Sequence, residues 1–196
     1  MITPIIADEE SYNLNFSFKS YPSGSRRFDI VARTVLELIW LKSSSIGDFL
    51  SNIAYVVFRE EAEYNAFRIN IERIPKIFAR NEYALLLHLI KHEGLVKTCL
   101  EEVFQHVRDN LVIHLTEKGI DICKIDRTKL LREMPREIIV LFGGHRDVPK
   151  DFLRKIPDLA SNVLNVSIGG RSYLASHTIV FLVYFIYSRF KSLVIK

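Results

Sequence analysis

Cysteine is scarce in this chain of 196 residues: only Cys99 and Cys123 occur, with neither CxxC spacing nor a paired His and Cys framework. A disulfide scaffold and a zinc site are therefore not indicated, no metal site is expected, and the chain reads as cytoplasmic. Long apolar runs are missing too. The longest, 178–187, is about half of the roughly 20 residues a membrane helix needs. The chain begins without a basic region followed by an apolar one, so neither export nor membrane insertion is expected. Low-complexity tracts and internal repeats are absent. So are GxGxxG, GxxxxGKS/T, HExxH and GxSxG, which removes the common dinucleotide, kinase and hydrolase readings.

What is present is a globular composition, 48% hydrophobic and 26% charged, able to bury enough apolar surface to offset the entropy of ordering the chain. The length predicts one compact domain over 1–196. A net charge of +4 and a pI of about 9.0 favour an anionic partner such as RNA, bound through phosphate contacts and counterion release.

After the turn-rich stretch Ser20-Tyr21-Pro22-Ser23-Gly24-Ser25, residues Ile30, Val31, Thr34, Val35, Leu38 and Ile39 share one helical face, with Asp29 just ahead as an N-cap. Strand patterns follow at 53–58 and at the alternating Phe67, Ile69 and Ile71. Helices are expected over 82–92 and, from the period of Leu95, Val96, Cys99, Leu100, Val103, Phe104 and Val107, over the next segment. The C-terminal half alternates short apolar strands, 111–115, 138–142 and 163–168, with helix-forming segments. Strands of that kind are buried on both faces, so the fold class is α/β, a parallel sheet covered by helices. Residues 175–190 are apolar nearly all round and call for cover by the core or a second subunit.

In such sheets ligands bind beyond the carboxyl ends of the strands. Three loops lie there: Thr116-Glu117-Lys118-Gly119, Gly143-Gly144-His145-Arg146-Asp147, and Gly169-Gly170-Arg171-Ser172. Glycine lets the backbone turn sharply and approach a flat ligand, although a Gly-Gly pair after a strand also suits a simple turn.

Several of these segments, in order, resemble one family. Ser25-Arg26-Arg27-Phe28-Asp29-Ile30 is similar to the Gly-Arg-Leu-Asp opening of the archaeal tRNA pseudouridine-54 N1-methyltransferases, members of the SPOUT superfamily. Leu141-Phe142-Gly143-Gly144-His145 resembles that family's Gly-Asp-His loop, Val166-Ser167-Ile168-Gly169-Gly170 its Ser-Leu-Gly-Pro loop, and Ala175-Ser176-His177-Thr178-Ile179 the opening of its final helix. The chain departs from the family at Ser44-Ser45-Ile46-Gly47-Asp48, where two arginines are missing, at Lys76-Ile77-Phe78-Ala79-Arg80-Asn81, and at Gly144 and Gly170.

The resemblance implies a C-terminal trefoil knot, a homodimer built on the first and last helices, S-adenosylmethionine as cofactor, and tRNA rather than DNA or a membrane as partner. Cofactor contacts would fall at Leu115, Gly143, Val166, Ser167, Ile168, Gly169, Gly170 and Thr178, mainly through backbone groups. Asp29 would orient the base or accept the N1 proton, and Arg26, Arg27 and Arg33 would hold phosphates. An N-cap role for Asp29 and a solvated basic turn at Arg26 and Arg27 stand beside those readings. His177, among apolar neighbours, is expected to be a core histidine, and His145 a loop residue that closes the pocket or is simply exposed. An RNA-binding dimer without turnover, a methyltransferase for another RNA site, and a structural α/β protein are the competing readings.

Overall fold

The computed structural model describes residues 1–9, 12, 14, 19, 26–91, 94–108, 110–125, 137–144, 146–156, 163–169 and 175–194, without the side chains of 190–194. In chain order the elements are β1 (Ile2–Asp8), α1 (Phe28–Lys42), β2 (Ile53–Glu60), β3 (Glu63–Asn70), α2 (Glu82–Lys91), β4 (Val96–Thr98), α3 (Leu100–Arg108), β5 (Leu111–Asp121), β6 (Ile138–Gly143), α4 (Lys150–Lys155), β7 (Val163–Ser167) and α5 (Ala175–Val194).

The strands form one sheet in the order β4-β3-β2-β1-β6-β5-β7. From β2 through β1, β6 and β5 to β7 all pairings are parallel, while β3 runs antiparallel to both β2 and β4. β1 sits centrally, and its seven residues are all buried. Its side chains alternate between two cores, Ile2 and Ile6 facing one, Ile5 and Ala7 the other. A strand covered on both sides has no polar face to show, and its polar members Thr3 and Asp8 are buried with the rest; the sequence patterns above place no strand here. α1, α2 and α5 cover the first face through Val31, Leu38, Leu86 and Leu182; α3 and α4 cover the second through Val103, Val107 and Phe152.

The apolar stripe on α1 is buried as its period requires. Thr34, the polar member, donates its hydroxyl to the Ile30 carbonyl at 2.8 Å and so leaves no unsatisfied group in the core. Asp29 is not the N-cap. Arg27 holds that position in left-handed conformation, and Asp29 is the second residue of the helix. The buried ring of Phe28 fixes where the helix begins, and a carboxylate in the first turn suits the positive end of the helix dipole.

The helix expected from Leu95 onward starts at Leu100. Residues 96–98 are edge strand β4, with Val96 opposite Arg68 and Thr98 opposite Ala66. The apolar residues of the sequence keep a helical period across them, but pairing with β3 wins, and it leaves Val96 exposed. Among the described residues no helix is long and apolar enough to cross a membrane. The expected knot depends on segments 126–136, 157–162 and 170–174, which lie outside the described residues.

At the amino edge of the sheet, the His106 ring Nδ1 of α3 lies 3.2 Å from Glu137 Oε2, and the Thr3 hydroxyl of β1 donates to the other carboxylate oxygen of Glu137. The hydrogen bond to Glu137 raises the His106 pKa above its ordinary 6.5, and the same bond lowers that of Glu137 below 4.5. The raised histidine stabilises the fold fully below about 6.5 and loses that contribution as pH rises through its folded value; the lowered glutamate contributes above about 4.5 and loses it as pH falls. Replacing His106 with Gln is therefore expected to lower the melting midpoint most between those two limits and progressively less on the alkaline side. A midpoint difference that does not vary with pH would show that the pair has no electrostatic content.

Candidate functional site

The parallel strands deliver their carboxyl ends to one edge of the sheet, and there the chain encloses a cavity of about 360 Å³. Three loops and one helix build it: Leu115, Thr116 and Glu117 from β5, Phe142 to Gly144 with Arg146 and Asp147 after β6, Val166 to Ile168 at the end of β7, and Ala175 and Thr178 from the first turn of α5.

β5 does not stop where the sequence places its loop. Leu115 and Ile120 both pair with Val166, so residues 116–119 are thrown out of the ladder as a wide bulge and the strand resumes beyond them. Bulges of this kind re-aim side chains beside functional sites. Gly119 closes the bulge against the β7 backbone: a Cβ there would lie 2.4 Å from the Val166 carbonyl carbon, so no other residue fits this approach. Gly143 makes the second close contact, since its Cβ would fall 1.5 Å from the carbonyl oxygen of Arg146.

The third loop is tied by its own serine. The Ser167 hydroxyl donates to the Gly169 carbonyl at 2.8 Å and accepts the Gly169 N–H at 3.3 Å. Across the cavity mouth the Thr116 hydroxyl donates to Asp147 Oδ2 at 3.4 Å.

Of the residues singled out for cofactor contact, Leu115, Gly143, Val166, Ser167, Ile168 and Thr178 all line this one cavity. Gly169 lies in the turn held by Ser167 and is not part of the wall; Gly170 and His145 lie outside the described residues. His177 is exposed rather than core: the helical period turns Ser176 and Ile179 inward and leaves the residue between them on the outer face.

Asp29 is buried, with Arg27 Nε 3.3 Å from Oδ1 and Arg33 Nη2 3.8 Å from Oδ2. Arg33 also donates through Nε to Glu82 at 2.9 Å, bridging α1 to α2. Arg26 and Arg27 are exposed, with positive φ, 49° and 69°, and neither they nor Asp29 nor Arg33 lines the cavity. The N-termini of α1 and α5 both reach this edge. Asp29 neutralises the first, whereas the first turn of α5 carries no acidic residue, so it keeps a positive potential toward the cavity. Two further residues of this edge escaped the sequence reading: Asp8, at the carboxyl end of β1, and Tyr12, whose hydroxyl donates to it at 3.0 Å. The one signal for them was a carboxylate ending an otherwise apolar strand.

No family model matches the chain, and no curated protein matches it either. Solved structures do. Nep1 from Archaeoglobus fulgidus, crystallised with S-adenosylhomocysteine, superposes with a TM-score of 0.57 at 17% identity, over 96% of this chain and 99% of that one. The chain shares the α/β architecture of Nep1. The ribosomal RNA small subunit methyltransferase E of Neisseria gonorrhoeae, bound to S-adenosyl methionine, matches at a TM-score of 0.45 and 12% identity, over 95% of this chain and 65% of that one. At 17% identity the likeness to Nep1 is one of architecture, and what the cavity does rests on its own residues.

Proposed function

We propose that this protein transfers a methyl group from S-adenosylmethionine to RNA, and that its substrate is pseudouridine 54 in the T loop of tRNA, methylated at N1. The observation that carries the reading is the convergence of three strand-end loops and the first turn of α5 on one cavity, in a fold whose A. fulgidus representative was crystallised with S-adenosylhomocysteine. The cavity suits such a group. Its 360 Å³ falls within the roughly 300–1,000 Å³ typical of small-ligand sites, and Gly143 and Gly144 leave one stretch of its wall without side chains.

Leu115, Gly143 and the Val166 to Ile168 segment would hold the cofactor, and Thr178 would close it from α5. The cofactor supplies an electrophilic methyl carbon on sulfur. The protein's own contribution is alignment: Asp29, fixed between two guanidinium groups, orients the base, and the exposed Arg26 and Arg27 meet phosphates. Arg33, bonded to Glu82 and Asp29, positions Asp29 rather than binding RNA. The working unit is a homodimer, because α1 and α5 leave Trp40, Phe181 and Tyr184 exposed.

The departures from the family's loops at Ser44-Ser45-Ile46-Gly47-Asp48 and at Gly144 favour the second reading, RNA binding without turnover. Incubation with methyl-labelled S-adenosylmethionine and pseudouridine-containing tRNA, followed by nucleoside mass spectrometry, separates the two. N1-methylpseudouridine is the expected product, and the Arg26→Ala/Arg27→Ala variant should reduce the salt dependence of tRNA binding by about two phosphate contacts. Tight tRNA binding with no methylated nucleoside would establish the non-catalytic reading, and no binding of either cofactor or tRNA would end both.

A further inference from the structure

Residue 144 lines the cavity without a side chain of its own. A Cβ built on Gly144 would lie 2.8 Å from Asp8 Oδ2 and 2.7 Å from the Tyr12 hydroxyl oxygen. The direction in which a side chain at 144 would project is thus filled by a carboxylate from β1 and a phenol from the segment after it. Both are held firmly. Asp8 has no exposed surface, its Oδ1 accepts the Glu9 N–H at 2.8 Å, and its Oδ2 accepts the Tyr12 hydroxyl at 3.0 Å. The Tyr12 ring packs 5.1 Å from both the Phe28 and the Phe58 ring centroids. Phe28 opens α1 and Phe58 is the register partner of Asp8 in β2, so the pair is anchored to the two elements beside the loop.

A fully buried carboxylate costs several kcal/mol of desolvation unless its oxygens are satisfied. Here each oxygen accepts a hydrogen bond, and one of the two donors, Tyr12, itself stands against position 144. We propose that Asp8 and Tyr12 fill the place of a side chain at position 144: a positioning pair that sets the depth of the 143–144 backbone in the cavity. Neither residue lines the cavity, and both act through the loop. The proposal rests on the reading of this cavity as a cofactor site and assigns to it two residues that its lining does not contain.

The geometry makes a reciprocal prediction. Gly144→Asp alone brings a second carboxylate onto Asp8 and crowds Tyr12, while Asp8→Ala alone removes the group that holds the loop. The Asp8→Ala/Gly144→Asp double variant clears the space and gives the Tyr12 hydroxyl a new acceptor. Measured by calorimetry with S-adenosylhomocysteine, each single change should weaken binding by about 10-fold, and the double variant should return to within about 3-fold of the wild type, the sign-reversed coupling expected of groups sharing one site. Asp8→Asn paired with Gly144→Asp serves where the alanine variant does not fold, since the amide then donates to the new carboxylate. Tyr12→Phe should weaken binding by removing the phenol proton while keeping the ring packing. A double variant no better than the weaker single one overturns the proposal, because a merely structural Asp8 gives additive losses. If the wild type binds no S-adenosylhomocysteine, the cofactor reading fails separately; the same cycle read in melting midpoints then decides the pair, rescue upholding it and additivity overturning it.

Discussion

Gly143→Ala is expected to abolish cofactor binding, with affinity for S-adenosylhomocysteine falling by roughly 100-fold, the scale on which a displacement of about 1 Å disables a site. The added methyl would stand 1.5 Å from the Arg146 carbonyl oxygen, a backbone atom that cannot rotate aside, so the 143–146 turn must open. The same turn carries Arg146 and Asp147 to the cavity wall, and opening it withdraws both. Gly119→Ala meets the Val166 backbone at 2.4 to 2.6 Å and should spread β5 from β7, with a smaller effect because the bulge can widen. Overpacking of this kind costs about 1–3 kcal/mol, and at this chain length each kcal/mol moves the midpoint by roughly 2–4 °C. Calorimetry and thermal melting check both outcomes. Ser167→Ala provides the scale, since it removes two side-chain hydrogen bonds of one turn at about 1 kcal/mol each. A Gly143→Ala protein that binds and melts like the wild type would mean that the turn is not part of the site.

Much of the sheet was legible because its strands are short, apolar and covered on both sides: 53–58, 111–115 and 138–142 fall on β2, β5 and β6, and 163–168 on β7 but for its last residue, while the central strand β1, with Thr3, Pro4 and Asp8 among its seven residues, was not. The loops beyond those strands were legible for the same reason; Leu115, Gly143 and Val166 to Ile168 were implied by the family resemblance, and the structure brings them to one cavity. What escaped is non-local. Val96 belongs to a strand only because β3 offers an open edge nearly thirty residues earlier in the chain, at Arg68, and no local period encodes that edge. The bulge at 116–119 exists because β7 returns to the same residue, Val166, on both sides of it. Asp29 moved from cap to first turn because the buried Phe28 determines where the helix starts, and Tyr12 meets Gly144 across more than a hundred residues of chain. Periodicity reports the faces of elements; it is silent on which backbone lies opposite a glycine.

A charge on the outer face of α5 should split the protein into monomers. Phe181 and Tyr184, three residues apart, share one face of that helix and are 44% and 62% exposed, while Leu182, Val183 and Ile186 point inward to the core they share with α1. Trp40 on α1 is 62% exposed. That helix packs against α5, and exposed apolar patches are where protein partners dock. The Phe181→Glu/Tyr184→Glu variant keeps every inward contact of α5, so it should fold, yet two carboxylates on each of two facing helices cannot be desolvated together. Sedimentation is expected to show a dimer for the wild type and a monomer for the variant, with a melting midpoint that depends on concentration only in the wild type. Because Ala175 and Thr178 of the same helix line the cavity, the monomer should also bind S-adenosylhomocysteine more weakly. A wild type that sediments as a monomer at every concentration would remove the second copy from the mechanism and leave the aromatic face to another partner. A dimer that survives both charges would place the interface elsewhere, away from α5, and would uncouple the cavity from assembly.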